Sequence, residues 1–500
     1  MTGKDVIAKI DDMINPIVVK EVRQYLNGRT VVALILGSLL LEFVIMVVFM
    51  INGGDEIRGC GRNFFSSILF LLSLACVFGI AFPVVGRIAR ERKDDSFQLI
   101  YNTALSPYRI VSGKLLSCMT IVALLVSLCL PFMSVSYYMR GIDMSVIMNS
   151  VFTLLLCLVP FIQLMILLGL LSSNSVLRSV VIIFTVMFFL FVLSPGVTPL
   201  FLFGHGGMGW TGSYIFWLLW MALISLLTTG GLYLLSVAII SPPASNRATP
   251  IRIYLVVLWV TTLLIAVGEA LYHHKSINLE IWTTCMLFLF GGSGLVSIVE
   301  REVQSGRVLS RVPSGWFRRV VYFLFSTGFA NGFMFSLLFL LLTGLLSLAT
   351  TGDIHDLFRY NRPEKVGFGT AVYLMAYAGL AIGIKHFLLR FISRVNMMAV
   401  IGILICGVIG LPVAAAVIIY QDSCFFGDRL APFMILNPII FAFRKYYTEG
   451  MIFAMILLVF ALILMWPTLR RQIKRHFPSR QASTTAAGAE TENGTDTADA

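Results

Sequence analysis

Residues 30–51 read TVVALILGSLLLEFVIMVVFMI, with Glu42 as the one ionisable side chain in the run. A helix rises about 1.5 Å per residue, so this run is long enough to cross a hydrocarbon core of about 30 Å. Runs of the same kind recur along the chain, at 64–85, 115–137, 145–171, 179–200, 214–240, 253–272, 279–298, 320–348, 367–387, 397–420 and 451–467. That predicts about twelve transmembrane helices. The half-apolar stretch 430–448, interrupted by Pro432 and Pro438, reads as interfacial.

Composition points the same way. The chain is 58% hydrophobic and 12% charged, against about 25% charged in an ordinary soluble protein. Its mean hydropathy is +0.90. Lipid must solvate such a surface, and in lipid the backbone must satisfy its own hydrogen bonds. The runs are too long and too evenly apolar for barrel strands. The fold class is therefore an all-α polytopic membrane protein.

Charge sets the expected orientation. With the N-terminus inside, most of the 37 Lys and Arg residues fall in inner segments, chiefly 1–29, 87–114, 301–319 and the C-terminal tail. This bias places both termini on the cytoplasmic side. The net charge of +12 is spread over separate inner loops. It lacks the continuous basic stripe of a nucleic-acid footprint. No cleavable signal peptide is expected, because the first 29 residues are polar and no small-residue cleavage site follows the first span.

Five segments follow: a cytoplasmic N-terminus (1–29), a six-span module (30–240), a Pro/Ser-rich linker (241–252), a second six-span module (253–470) and a disordered tail (471–500). No sequence repeat relates the two modules. Of the eight cysteines, Cys76, Cys118, Cys129, Cys157, Cys285 and Cys406 lie inside spans and read as small apolar fillers. Cys60 and Cys424 fall in outer loops, and a disulfide between them stays open. No cysteine spacing suggests a metal site.

Two polar islands break the apolar pattern. In the first, Asn15 can cap a helix with Pro16 in its first turn, where a missing N–H costs nothing. Ile14, Ile17, Val18, Val22, Tyr25 and Leu26 recur at three- and four-residue spacing, with Lys20, Glu21, Arg23 and Gln24 on the other face. This is an amphipathic helix suited to the inner membrane interface, ended by Asn27-Gly28. A plain juxtamembrane anchor would look the same. The second island runs from Arg87 to Lys114. Asp94, Asp95 or Ser96 can cap a short helix with Phe97, Ile100 and Tyr101 on one side, and Ser106-Pro107 starts the next. Such an edge suits docking into a groove on a soluble partner, although an ordinary amphipathic loop also fits.

These islands resemble a family. NPIVVKEVRQYLNGR (15–29) is similar to the N-terminal elbow helix of ABC-2 type transporter permeases. RERKDDSFQLIYNTALSPYRIVSGKLL (90–116) resembles their inner loop between spans two and three. Thr103, Leu105, Ser106, Pro107, Gly113 and Lys114 match that pattern, whereas Asp95-Ser96 stands where Gly-Thr is usual. The resemblance covers roughly residues 12–240.

The resemblance implies the membrane subunit of an ATP-binding cassette exporter in the cytoplasmic (inner) membrane. A separate ATPase, working as a dimer, would drive it. Phe97, Leu99 and Ile100 would form the docking edge, with Glu91, Arg92 and Lys93 as polar contacts and Ser106 and Pro107 opening the next helix. Asn15, Pro16, Lys20, Glu21 and Arg23 would belong to the elbow helix. ATP and Mg would sit on the ATPase, since no G-x-x-x-x-G-K-[ST] loop occurs in this chain. No cofactor, metal or catalytic residue is expected on the chain itself. Pairing with a second permease, identical or different, stays open.

Other residues carry weaker signals. Glu42 lies mid-span, where a carboxylate is costly and often functional, although protonation or pairing within the bundle also accommodates it. Glu269, His273 and His274 cluster near the outer end of the seventh span but offer too few ligands for a metal site. The Gly- and Pro-rich segment 194–213 occupies the position that carries short outer helices near the exit in the resembled family, which implies an exit gate, although a flexible loop also fits. Gly328/Gly332 and Gly379/Gly383 are small-residue pairs suited to close helix packing. Trp316, Phe317, Arg318 and Arg319 read as an interfacial anchor, with a second docking loop as the alternative. The six histidines form no metalloprotease pattern.

Two other classes compete with the permease. An ion-coupled secondary carrier would need ionisable groups near the midplane, and Glu42 is essentially the only one offered. A membrane enzyme acting on lipid-linked substrates would need clustered acids or histidines at one face.

Overall fold

The computed structural model describes residues 15–52, 60–93, 106–139, 142–171, 182–183, 185–187, 189, 212–242, 245–273, 277–297, 300, 312–313, 315–351, 363–387 and 447–476. Among these, 93% are helical and none is in a strand. Eight helices are long and apolar enough to cross a membrane among the described residues. The expected spans 179–200 and 397–420 lie wholly or mostly outside them. So do Cys424, most of the Gly/Pro-rich segment 194–213, the interfacial stretch 430–448 and the side chains of Cys60, Glu269, His273 and His274.

The chain divides into two compact units, Met1–Pro242 and Pro243–Ala500. In the first, a short helix α1 (Pro16–Leu26) precedes α2 (Arg29–Asn52). A single long helix follows in three parts: α3 (Cys60–Cys76), a π-helical turn (Val77–Ala81) and α4 (Phe82–Lys93). Then come α5 (Pro107–Tyr138), α6 (Met144–Leu171) and α7 (Gly212–Ile240).

The core of this unit is built by the second, third and fourth of these long helices. Phe64, Phe65, Ile68 and Leu72 on α3 meet Val122 and Leu125 on α5 and Leu158 and Ile162 on α6, all fully buried. Gly169 lets α6 approach α4, since a Cβ there would lie 3.2 Å from the Ile88 Cβ and 3.3 Å from the Val85 Cα. Lipid provides little apolar driving force between helices, so polar groups add specificity. Gln163 donates to Ser236 (3.1 Å) and Ser225 to the Leu156 carbonyl (2.6 Å), joining α6 to α7. By contrast α2 exposes Leu36, Leu40, Leu41 and Phe43, the mark of a lipid-facing helix.

The second unit holds α8 (Ala248–His273), α9 (Ile277–Ser297), α10 (Trp316–Phe325), α11 (Phe329–Thr351), α12 (Pro363–Phe387) and α13 (Tyr447–His476). A seam of small residues packs α9, α12 and α13 together. A Cβ on Gly291 would stand 3.0 Å from the Ala371 Cα, one on Gly379 2.8 Å from the Ala461 Cβ, and one on Gly383 3.0 Å from the Leu464 Cβ. Gly379 and Gly383 therefore serve packing within the chain, whereas Gly328 lies in the break before α11 and forms no helical pair with Gly332.

Two expectations need correction. The run 320–348 is not one helix: α10 ends at Phe325, and the chain breaks at Ser326–Gly328 before α11. Gly328 sits at φ 144°, a conformation that costs side-chain-bearing residues dearly, so the break is built around it. Residues 471–476, expected to belong to a disordered tail, are helical, because α13 continues to His476 with Pro467 inside it.

Candidate functional site

The polar groups of the first unit converge where α1, α4 and α5 meet. Asn15 caps α1 with extended backbone geometry, its side chain accepting from the Ile17 N–H at 3.1 Å, and Pro16 opens the helix. The same side chain donates to the Arg109 carbonyl at 2.6 Å, which ties α1 to the first turn of α5. Ser106 caps α5 and accepts from the Arg109 N–H at 3.4 Å, with Pro107 as the first helical residue. Gly113 faces α1 so closely that a Cβ would lie 2.9 Å from the Ile17 Cβ.

Lys114 stands at the centre. Its Nζ lies 2.8 Å from Glu21 Oε1 on α1, and 3.2 and 2.9 Å from the two carboxylate oxygens of Glu91 on α4. The Lys114 and Glu21 side chains are only 8% and 9% exposed, so this charge is neutralised inside the protein. Burying one ammonium is costly; two carboxylates and their hydrogen bonds offset that cost.

Tyr25 completes the joint one turn further along α1. Its ring is buried, and the Arg87 guanidinium carbon lies 3.8 Å above the ring centroid. Its hydroxyl is 3.8 Å from Cys118 Sγ on α5. Burial pushes the phenol well above the ordinary tyrosine range, so it stays protonated beside that sulfur. Nearby, Tyr233 of α7 donates to the Tyr108 carbonyl at 2.9 Å.

The structure thus collects Asn15, Pro16, Glu21, Glu91, Ser106 and Pro107 in one joint. Lys20 and Arg23 lie on the exposed side of α1. Glu21, expected on that polar face, is buried instead with Val18 and Tyr25, because Lys114 gives it a partner. Phe97, Leu99 and Ile100 lie outside the described residues, as do the side chains of Arg92 and Lys93. On one side of the segment that carries them Glu91 is bound to Lys114, and on the other Ser106 caps the helix that carries Lys114.

Sequence reasoning missed the roles of Arg87, Lys114 and Cys118. Lys114 was visible only as half of a Gly-Lys pair. A lysine directly abutting an apolar run was the available signal that it needs buried acids.

Mid-span, Glu42 is fully buried; Cys129 Sγ lies 2.6 Å from its Oε1, and its Oε2 has no hydrogen-bond partner in the structure. Among the described residues no group of three or more His, Cys, Asp or Glu side chains could hold a metal ion. No family model, no curated protein and no solved structure matches the chain.

Proposed function

We propose that this chain is the membrane-spanning permease subunit of an ATP-binding cassette exporter of the ABC-2 type, resident in the cytoplasmic membrane and driven by an ATPase on a separate chain. The observation that carries the reading is the Lys114 joint. It welds an amphipathic N-terminal helix, the end of the second span and the start of the third into one body, at the base of the segment 94–105. A push delivered there would pass to α4 and α5 through the ion pairs of Lys114. The π-helical turn Val77–Ala81 lies further along the same span, and such turns often mark places where a helix yields. Closure of a nucleotide-bound ATPase dimer on Phe97, Leu99 and Ile100 would then tilt α4 against α6.

The substitution Phe97→Asp tests this. It places a charge on the docking edge without touching the spans. The expected result is loss of the ATP-binding subunit from the purified complex, with the chain still inserted at its normal level. Undiminished co-purification of that subunit overturns the assignment.

A further inference from the structure

One end of the C-terminal unit is defined by a set of hydrogen bonds. Arg252, near the start of α8, bonds both oxygens of Glu300, just beyond α9, at 2.8 and 2.7 Å. It also bonds the Leu324 carbonyl near the end of α10 at 2.9 Å. Thr249 donates to the Phe325 carbonyl at 2.6 Å. Glu300 accepts from the Gly328 N–H at 2.7 Å, in the break before α11. The Ala330 N–H, at the start of α11, donates to Gln472 near the end of α13 at 3.3 Å. The start of α8, the end of α9, the end of α10, the start of α11 and the end of α13 therefore share one side of the unit.

Two helices carry exposed cations there. On α13 a single face runs through Ile456, Val459, Ile463 and Trp466, each more than half exposed, at three- and four-residue spacing. So open an apolar face on a membrane span is one that lipid covers. The same face continues one turn past Trp466 into Arg470 and Lys474, with Arg471 beside them, and all three are exposed. Tryptophan settles at the level of the lipid headgroups, so these cations stand in or just beyond that layer. On α10, Trp316 (75% exposed), Phe317 (70%) and Val321 are open, with Val320 and Leu324 partly buried on the same side. Phe323 is buried, and Phe325 meets the Phe335 ring edge-on at 5.6 Å. Arg318 is exposed next to Phe317, whereas Arg319 turns back to the Pro313 carbonyl at 2.8 Å. A short helix with such an apolar face, fastened to the bundle at its C-terminal end, is suited to lie in the membrane surface. Among the described residues the one carboxylate at this end, Glu300, is already held by Arg252, and none pairs with Arg318, Arg470, Arg471 or Lys474.

We infer that this end of the C-terminal unit binds acidic phospholipids. Helix α10 lies in the headgroup layer with Trp316 and Phe317 at its apolar boundary, and Arg318, Arg470, Arg471 and Lys474 take the lipid phosphates. The occupant is lipid rather than an acidic protein, because on α13 the cations continue a face already open to acyl chains. Basic clusters next to a span attract lipids of net negative charge, and zwitterionic lipids lack that charge. Such a surface needs no ATPase, and its failure would leave the permease reading as it stands.

The test uses the full-length chain in nanodiscs of phosphatidylcholine mixed with phosphatidylglycerol. Native mass spectrometry of the released chain is expected to show phosphatidylglycerol retained in preference. Replacing the cations together (Arg318→Gln, Arg470→Gln, Arg471→Gln, Lys474→Gln) should lower that preference roughly tenfold. The charge-keeping set Arg318→Lys, Arg470→Lys, Arg471→Lys should retain it. In the parent chain, bromine placed on the acyl chain close to the headgroup should quench the fluorescence of Trp316, read as the difference from Trp316→Phe. No preference in the parent, an unchanged preference after removal of the cations, or a preference lost equally in the lysine set overturns the inference. So does a Trp316 that lipid bromine does not reach, which would assign α10 to a protein partner.

Discussion

Lys114 and Glu21, separated by 93 residues in sequence, meet at 2.8 Å with both side chains buried. This pair joins the amphipathic helix α1 to the third span and, with Glu91, turns three chain segments into one rigid joint.

Removing the cation should be worse than removing the whole network. Lys114→Ala leaves the buried Glu21 carboxylate without its cation beside the part-exposed Glu91, and an uncompensated buried charge typically costs about 3–5 kcal/mol. The triple variant Glu21→Leu, Glu91→Leu, Lys114→Met removes charge and partners together and is expected to lose less. Thermal unfolding in detergent, with the three proteins measured in parallel, checks the order.

Gly113 should be intolerant of a side chain. A Cβ would stand 2.9 Å from the Ile17 Cβ and 3.0 Å from Asn15 Nδ2. Gly113→Val must displace α1 and break the Asn15 bond to the Arg109 carbonyl, at a cost of about 1–3 kcal/mol for overpacking. Faster proteolytic removal of the first 28 residues would report that release. An unchanged rate would show that α1 does not depend on this contact.

Glu42 separates the permease from an ion-coupled carrier. A carrier would route its ion through this mid-span carboxylate, so Glu42→Gln would abolish its cycle. An ATP-driven permease uses Glu42 only as a packing partner of Cys129. ATP hydrolysis by the assembled complex is therefore expected to change little in Glu42→Gln, and its loss would favour the carrier.

Arg252 should not be replaceable by lysine. Its guanidinium reaches both oxygens of Glu300 and the Leu324 carbonyl (2.9 Å), and also bonds the Ser326 carbonyl. A lysine is a point charge and cannot span that fork. Arg252→Lys is expected to lower stability by about 2 kcal/mol, in the range of one charged hydrogen bond. Comparing its unfolding temperature with that of the parent protein tests this.

What the sequence made legible follows from range. The helical membrane class needed only composition and run length, and α1 needed only the Asn15-Pro16 cap and its apolar spacing. Those are local signals. Glu21 was placed on the wet face because nothing within one helix reveals a lysine 93 residues away. The run 320–348 looked continuous because its hydropathy is continuous, although Ser326-Thr327-Gly328 carried a readable break. Arg252 read as a linker charge, since its buried acid lies 48 residues on.

The most direct measurement places a photoactivatable side chain at position 97 of the full-length protein in native membranes. The account predicts a crosslink to a subunit that binds ATP through a phosphate loop, made from the cytoplasmic side. A crosslink only to lipid or to this chain itself, or a position 97 reachable from outside the cell, would contradict it.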